Sequence, residues 1–494
     1  MNNEFKKGRD MEIQSSVLKN REMFEQTFNY PTNKDIVFRD FKFLSKDGFV
    51  VYIDGMAGGD KISDFILRPL LNKDGISRDL KSILQISSLI EETDFDEAVS
   101  AILQGDCILC MDGDANAYVC ETKSFDKRGV EKPQVESSIV GALEAFTETL
   151  RTNTTLLHRI IKNPGLTTEM VAVGKLNNLT CGVVYVNGVV NMEFVEEVKR
   201  RLKGIDTDFV QSGGMIEQFI EDHDSSLFQT VTTTERPDNT AALLMQGRIA
   251  IIVDGSPRVI IAPITLFSML KTSEESALRA PFASAVRAIR IIAVLSAFLM
   301  PALYLAITTY HPEMIPASLL LSIAKSRVNI PYPALVELLV MEFAFELIRE
   351  AGRHIPGALG STIGIVGGLI LGEAAVSAGF VSQGCVIVIA FTGLGNFAIP
   401  QYQLAFTAQL IRILFIICAG FFGFLGIGLA FVVLVGYVNS LTSFGTDYVN
   451  PVFSGDAPLF PKQPVWEYEN RPSALRAKKP QYQPIISRIW KKGN

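Results

Sequence analysis

The spacing of apolar residues along this chain changes near residue 281. Up to about Pro281, apolar and charged residues alternate over short periods, as in a globular protein. From Ala288 to Tyr437, long stretches carry almost no charge. Ala288–Thr308, Gly360–Phe380, Ser382–Ile399 and Ile411–Tyr437 are each long enough, or nearly so, to cross ~30 Å of hydrocarbon at ~1.5 Å per residue. Pro333–Gly352, between the first two, has a helical pattern but is charged. Arg279, Arg287 and Arg290 precede or open the first span and a basic tail follows the last, so both flanks are expected on the cytoplasmic side and the number of crossings is even. Four crossings make the charged helix re-entrant or interfacial and leave Lys325, Arg327, Arg349 and Arg353 outside. Six require Ala317–Ala324 to belong to a further span, and both counts stay open.

The first half contains a repeat. Val50-Val51-Tyr52-Ile53-Asp54-Gly55 recurs as Val183-Val184-Tyr185-Val186-Asn187-Gly188, each a β-branched strand ending in a turn residue and Gly. An amphipathic stretch follows each, Asp60–Leu67 and Glu193–Leu202. A second matched pair runs Asp96–Cys120 and Asp238–Ala262, a helix and then two strands around Asp112-Gly113 or Asp254-Gly255. The offset is 133 residues between Val50 and Val183 and 142 between Gly105 and Gly247, so the copies differ by a nine-residue insertion. The pattern therefore predicts a polar N-terminal segment over 1–34 and two tandem, similar α/β subdomains over 35–145 and 146–280. An all-α multi-pass membrane domain over 281–440 and a short basic cytoplasmic tail over 441–494 complete the chain.

Composition adds limits rather than elements. At 494 residues and 48% hydrophobic content the chain is too long for one ordinary domain. The net charge of −6 lies mostly in the first half, so no basic face points to nucleic acid. The tail reverses the sign: Lys462, Arg471, Arg476, Lys478, Lys479, Arg488, Lys491 and Lys492 outnumber Glu467 and Glu469. Such a tail is either held at an anionic leaflet or solvated. Met1–Glu12 is polar and lacks an apolar core of signal-peptide type, so the first half is expected to stay in the cytoplasm. Cys107, Cys110, Cys120, Cys181, Cys385 and Cys418 are scattered and form no disulfide framework.

The candidate chemistry lies in the second half. Gly360, Gly364, Gly368 and Gly372 recur every four residues on one helix face, where another backbone can approach, within the chain or between subunits. On the charged helix, Glu342, Glu346, Arg349, Glu350 and Arg353 fall within about 100° of one another, while Glu337 points elsewhere. Carboxylates at membrane depth face protein or a water-filled path, which makes this stripe a candidate ion path. The alternative is an interfacial helix whose charges pair as Glu346 with Arg349 and Glu350 with Arg353. Glu373 and Asn396, alone in apolar helices, are candidates of the same kind. Cys107-Ile108-Leu109-Cys110 matches C-x-x-C but lies in a strand, where core packing is expected. His158, His223, His311 and His354 are too dispersed for a metal site, and no phosphate loop, nucleophile elbow or zinc-protease helix occurs. No cofactor and no enzyme activity are expected.

Glu235-Arg236-Pro237-Asp238, followed by Gly247-Arg248-Ile249-Ala250-Ile251-Ile252-Val253-Asp254-Gly255-Ser256-Pro257, resembles the GerA family of spore germination proteins. Leu150-Arg151-Thr152-Asn153-Thr154, Met341-Glu342 to Glu350-Ala351-Gly352, Gly360 to Gly368 and Ser443-Phe444-Gly445 extend the resemblance over most of the chain. It implies the A subunit of a nutrient germinant receptor in the inner membrane of a bacterial endospore. It further implies a homo-oligomer similar to an ion channel, working with a transporter-like B subunit and a lipoprotein C subunit. A stage V sporulation AF-type paralogue has the same layout. A proton-coupled secondary transporter and a scaffold are readings of other classes, the former opposed by the lack of any repeat pairing the apolar helices. Ser137-Ser138-Ile139-Val140-Gly141-Ala142 departs from the family, whose members often have Val-Val-Arg-Gly-Pro there, and no residue identifies a nutrient.

Overall fold

A computed structural model of the protein describes residues 12–71, 80–124, 136, 141–272, 274–353, 368, 370–449, 461–464 and 470–482. Gly360, Gly364, His354 and Ser137–Val140 lie outside the described residues. The first α/β copy comprises α1 (Val17–Thr27), β1 (Ile36–Phe43), β2 (Lys46–Ile53), β3 (Leu89–Glu92), α2 (Phe95–Leu103), β4 (Cys107–Met111) and β5 (Ala117–Cys120). The second comprises α3 (Leu150–Ile160), β6 (Leu166–Val173), β7 (Leu179–Val186), α4 (Met192–Lys203), α5 (Gly213–Ile220), β8 (Thr232–Thr234), α6 (Pro237–Met245), β9 (Ile249–Val253) and β10 (Val259–Ala262). Their sheets run in the same order, β1-β2-β4-β5-β3 and β6-β7-β9-β10-β8, with every pair antiparallel.

The same devices shape both copies. The turn glycines Gly113 and Gly255 adopt φ of +79° and +81°, a region that favours Gly because it has no Cβ. The aspartate before each turn reaches across to a helix: Val17 N donates to Asp112 Oδ1 (3.3 Å) and Leu150 N to Asp254 Oδ1 (3.1 Å), serving an N–H that the helix start leaves open. Within the first turn of each helix, Asn20 and Asn153, both fully buried, reach back and close the preceding loop. Gln14 N donates to Asn20 Oδ1 (2.8 Å) and Asn20 Nδ2 to Gln14 O (2.6 Å), and Asn153 does the same with Thr147 (2.7 and 2.6 Å). Helix α1 thus has a counterpart in α3, although it falls in the segment 1–34 that polar composition set apart. Phe24 of α1 packs on Phe49 and Phe95, with ring centroids 6.1 and 4.6 Å apart, while Lys19, Arg21 and Glu22 on the outer side mask the pattern. A boundary at residue 34 separates this helix from the sheet it covers.

A buried polar joint fastens the copies together. Asp35 lies at the start of β1 and accepts from Arg151 Nη1 (2.7 Å) and Thr168 Oγ1 (2.5 Å), with His158 Nε2 at 2.9 Å. Asn33 Nδ2 donates to Leu166 O (3.1 Å) and Lys34 N to Thr168 O (2.9 Å). Burial alone would raise the Asp35 carboxyl, but His158, Thr168 and Arg151 outweigh it and hold it below the usual range. Gly55 belongs to this joint, since a Cβ there would collide with Thr155 Oγ1.

The helical part contains α7 (Ala280–Tyr310), α8 (Ala334–Arg353), α9 (Gln383–Phe397) and α10 (Tyr402–Ser440). Among the described residues, α7 and α10 are long and apolar enough to cross a membrane. The apolar window Ile411–Tyr437 does not form one straight span, because α10 reverses at Gly423 (φ +60°, ψ −136°). Both its ends meet the head: Thr407 Oγ1 donates to Leu227 O, and Tyr437 Oη to Ser226 Oγ (2.8 Å). Tyr402–Phe422 spans ~32 Å and Phe424–Ser440 ~26 Å, against ~30 Å for the hydrocarbon layer. Helix α7 runs parallel to the first limb, with Phe298 against Phe415 and Tyr310 Oη donating to Gly420 O (2.6 Å). Helices α8 and α9 run the opposite way, placing Leu335 against Gly420 and Gly395 against the Ala293 carbonyl. The segment Ala317–Arg327, on which a sixth span was to depend, is an 11-residue helix with no buried residue. At ~16 Å it is too short to cross.

Cations of the flank expected on the cytoplasmic side, and of the tail expected at a leaflet or in solvent, are turned inward. Arg287 Nε and Nη2 bond Glu275 Oε2 (3.1 and 2.5 Å), and Arg290 bonds Glu275 and Leu270 O (2.7 Å). In the tail, Lys462 Nζ bonds Glu275 O, while Arg471 Nε donates to Met245 O (2.8 Å) and its Nη1 to Lys479 O (2.9 Å). Arg488, Lys491, Lys492, Glu467 and Glu469 lie outside the described residues. After α10, Thr442–Ser443 (β11) and Thr446–Asp447 (β12) form a hairpin that returns to the head. Ser443 Oγ donates to Thr230 O (2.6 Å) and accepts from Ile264 N (3.0 Å). Phe444, at φ +51°, enters the core of the second copy with the Arg201 guanidinium 4.2 Å above its ring.

Candidate functional site

Charges at 342, 346 and 349 occupy one face of α8 because four- and three-residue steps return to the same side of a helix. The opposite face carries Val336, Val340, Phe343 and Leu347, all exposed. This reverses the distribution of a water-soluble helix. The charged face meets α9 and the first limb of α10, where Glu342 Oε2 lies 3.0 Å from Arg412 Nη2 and Arg412 Nη1 donates to Ala297 O of α7 (2.9 Å). Arg349 Nη2 bonds Glu346 Oε1 (2.7 Å) and Gln409 Oε1. With its amide oriented to suit its neighbours, Asn396 accepts from Arg349 and donates to Ala405 O (3.0 Å).

Six side chains from three helices thus meet: Glu342, Glu346 and Arg349 of α8, Asn396 of α9, and Gln409 and Arg412 of α10. Two carboxylates face two guanidinium groups, so the cluster has no net negative charge. An isolated buried charge costs several kcal/mol, and pairing with additional hydrogen bonds offsets that. Satisfaction is incomplete, since Glu342 Oε1, Arg349 Nε and Arg412 Nε have no hydrogen-bond partner among the described residues.

The Glu346–Arg349 pair is the one expected of an internally paired helix, and Glu342, Arg349 and Asn396 join the same cluster. Glu350 is exposed near the end of α8, and Glu373 is exposed in the helical stretch 370–377, away from the residues that meet here. Gly368 has open space where a Cβ would stand, and a Cβ on Gly372 would stand 3.4 Å from a Val386 methyl, an ordinary contact. Sequence reasoning missed Arg412 and Gln409, although a lone arginine inside an apolar stretch was a usable signal. It also set Glu337 aside. That carboxylate is buried and accepts from Ser382 N (2.6 Å) and Ser382 Oγ at the start of α9, where a helix N-terminus favours negative charge. Cys107 and Cys110 are core residues of β4, and burial pushes both thiols up, away from thiolate chemistry.

A head of two α/β copies joined to helices that turn apolar side chains outward and charged ones inward defines a membrane-associated protein with a large soluble region. Residues 22–474 match the model of the Bacillus/Clostridium GerA spore germination protein family, and the chain belongs to that family. It is 36% identical over 483 residues to spore germination protein KA of Bacillus subtilis (strain 168), covering 95% of this chain and 88% of that relative. Spore germination protein B1 of the same organism is 33% identical, with 90% and 93% covered. The crystal structure of the N-terminal domain of the A subunit of the Bacillus megaterium spore germinant receptor GerK3 is 28% identical, covering 52% of this chain and 98% of that one, with a TM-score of 0.40.

Proposed function

We propose that this protein is the A subunit of a nutrient germinant receptor, set in the inner membrane of the endospore, and that it couples nutrient sensing to cation release. The observation that carries the reading is the inward-facing cluster of the buried Glu342–Arg412 pair and the partly buried Glu346–Arg349 pair, inside helices whose outer surface is apolar. Membrane proteins bear the cost of such groups where ions or protons pass. At rest the arginines neutralise the carboxylates. Drawing α10 away from α8 separates Arg412 from Glu342 and leaves carboxylates that attract cations, as acidic rings do in cation channels when several copies surround an axis. The head is fastened to α10 at Thr407, Tyr437 and Phe444, so a change in the head reaches the cluster through that helix.

Directions of the helices support six crossings. Helix α7 and the first limb of α10 lead away from the head, while α8, α9 and the second limb return to it. These are five, and an even number of crossings, with both flanks on one side, makes the count six. Both ends share the cytoplasmic side in this arrangement. The glycine face read from the sequence at Gly360, Gly364, Gly368 and Gly372 is assigned to close helix packing, within the chain or between copies, and the transporter-like B and lipoprotein C subunits complete the receptor.

Glu342→Gln and Glu346→Gln in the full receptor test the reading. Both should assemble normally yet slow nutrient-triggered cation release by about tenfold or more, the effect of ~1.4 kcal/mol. Because Glu342→Gln leaves Arg412 buried without a counter-ion, Glu342→Gln combined with Arg412→Gln serves as the charge-balanced control for folding. Normal assembly with unchanged release in both single variants would show that the cluster only holds helices together.

A further inference from the structure

A cavity of about 240 Å³ lies where the head meets the helices. Its walls come from Phe228 and Leu270 of the head, Val294 of α7, Ala408 near the start of α10, and Leu434 and Val435 near its end. Two polar side chains, Thr407 and Asn439, also line it, and both donate to main chain: Thr407 Oγ1 to Leu227 O, and Asn439 Nδ2 to Val435 O (2.9 Å). A zwitterionic amino acid or a sugar entering here would give up water and find few groups to replace it, at a cost of roughly 2–7 kcal/mol per buried polar group. Hydrocarbon meets no such penalty. The space exceeds the ~150 Å³ that accommodates a benzene ring in an engineered apolar cavity.

The cavity is partly open. Val435 and Asn439 are its exposed lining residues, and Val435 continues the apolar outer surface formed by Leu429, Val432 and Val433 on the same limb. Asn439 sits at the head end of that limb, the level at which polar lipid headgroups would lie if the limb crosses the membrane. We infer that this cavity receives the end of one acyl chain of a membrane lipid, an assignment that rests on the membrane placement proposed above.

The position gives the chain a consequence. The cavity is bounded by the loop that holds both limbs of α10: Leu227 accepts from Thr407, and Ser226 accepts from Tyr437, whose ring lies 6.3 Å from Phe228. An inserted chain therefore sets the spacing between the head and the helix that carries Arg412. Its presence or absence alters how movement passes from one to the other.

Full-length protein in vesicles of phosphatidylglycerol and phosphatidylethanolamine provides the test, with a phospholipid carrying a diazirine at the end of one acyl chain. Photolysis and peptide mapping should place labels on Leu404–Ile411 and Leu434–Asn439 as well as on the outer belt at Ile413, Leu414 and Val432. Ala408→Phe, which fills the cavity, should lower cavity labelling by roughly tenfold, equivalent to ~1.4 kcal/mol, and leave belt labelling unchanged. Ala408→Leu provides a milder filling should the larger side chain impair folding. Belt labelling without cavity labelling overturns the inference while the membrane placement stands. Absence of labelling at both sites overturns both. Cavity labels unaffected by either substitution overturn the assignment, as does labelling by a free fatty acid with the same diazirine but not by the phospholipid.

Discussion

The two α/β copies of the head share strand order, turn geometry and the asparagine-closed loop before the first helix, yet among the described residues the second alone receives a side chain inserted from beyond the helical part. In the first copy, Phe24, Phe49 and Phe95 complete the core from within. In the second, Phe444 arrives from beyond α10, more than 200 residues after the sheet begins, and joins Val195, Val198 and Ile216. The tail adds to this asymmetry, with Lys478 N donating to Val189 O (2.9 Å) and Arg471 bonded to Met245 O. Since the first copy folds on the same plan without such an insertion, the hairpin is not a requirement of the architecture. Its place between α10 and the second core suits it to carry movement between them.

The largest test of that contrast compares Phe444→Ala with Phe24→Ala. Each truncation in a packed core should cost about 3–5 kcal/mol, read by hydrogen exchange of peptides from each copy in the detergent-solubilised protein. Phe444→Ala should in addition suppress nutrient-triggered germination below the level that Phe24→Ala allows at matched loss of stability. Equal germination in the two variants would reduce the hairpin to packing.

Next in size is the joint that fastens the copies to each other. Asp35→Asn removes the buried carboxylate that faces Arg151, Thr168 and His158, leaving Arg151 only Asp54 (3.1 Å) among the described residues, and should destabilise the head by about 3 kcal/mol. The sign of its pH dependence follows from a carboxyl held low in the fold. Its stabilisation is present above the unfolded value of ~3.9 and is lost as pH falls below it. Thermal melting should therefore show the gap between parent and variant closing below about pH 4. A gap that widens with acid would contradict the assigned ion pair.

Asn20→Ala and Asn153→Ala compare the copies at equivalent points. Each removes a side chain that pairs with both main-chain groups of one residue, and each should cost roughly 1–3 kcal/mol. Costs agreeing within ~0.5 kcal/mol would show that attachment to the helices leaves the local loop energetics unchanged.

A pH-dependent contrast is expected at Glu217, in α5 of the second copy. Burial pushes its carboxyl up to about 7, even though it bonds Gln403 at the start of α10. Stability linked to a raised carboxyl is complete below the unfolded value of ~4.3 and is lost as pH rises through the folded value. Glu217→Gln should flatten the decline in melting temperature of the second copy between about pH 5 and 8, and leave the first copy unchanged.

Much of the head was readable because its signals are local. Val50–Gly55 and Val183–Gly188 report strands through β-branched residues, and Asp112-Gly113 and Asp254-Gly255 report turns through the φ that glycine permits. The kinship of α1 and α3 was not readable, since it rests on Asn20 and Asn153 in otherwise dissimilar helices. In the helical part, the spacing of Glu342, Glu346 and Arg349 fixed which face they share. Hydropathy could not register the reversal at Gly423, because the residues on both sides are equally apolar and only a backbone angle marks the turn. Nor could spacing reveal that Glu342 pairs with Arg412, seventy residues onward, or that Lys462 and Arg471 turn inward to main-chain carbonyls. Periodicity comes from the geometry of one element, whereas the partner of a face depends on which distant elements pack beside it. For a buried charge, that choice decides whether it is neutralised.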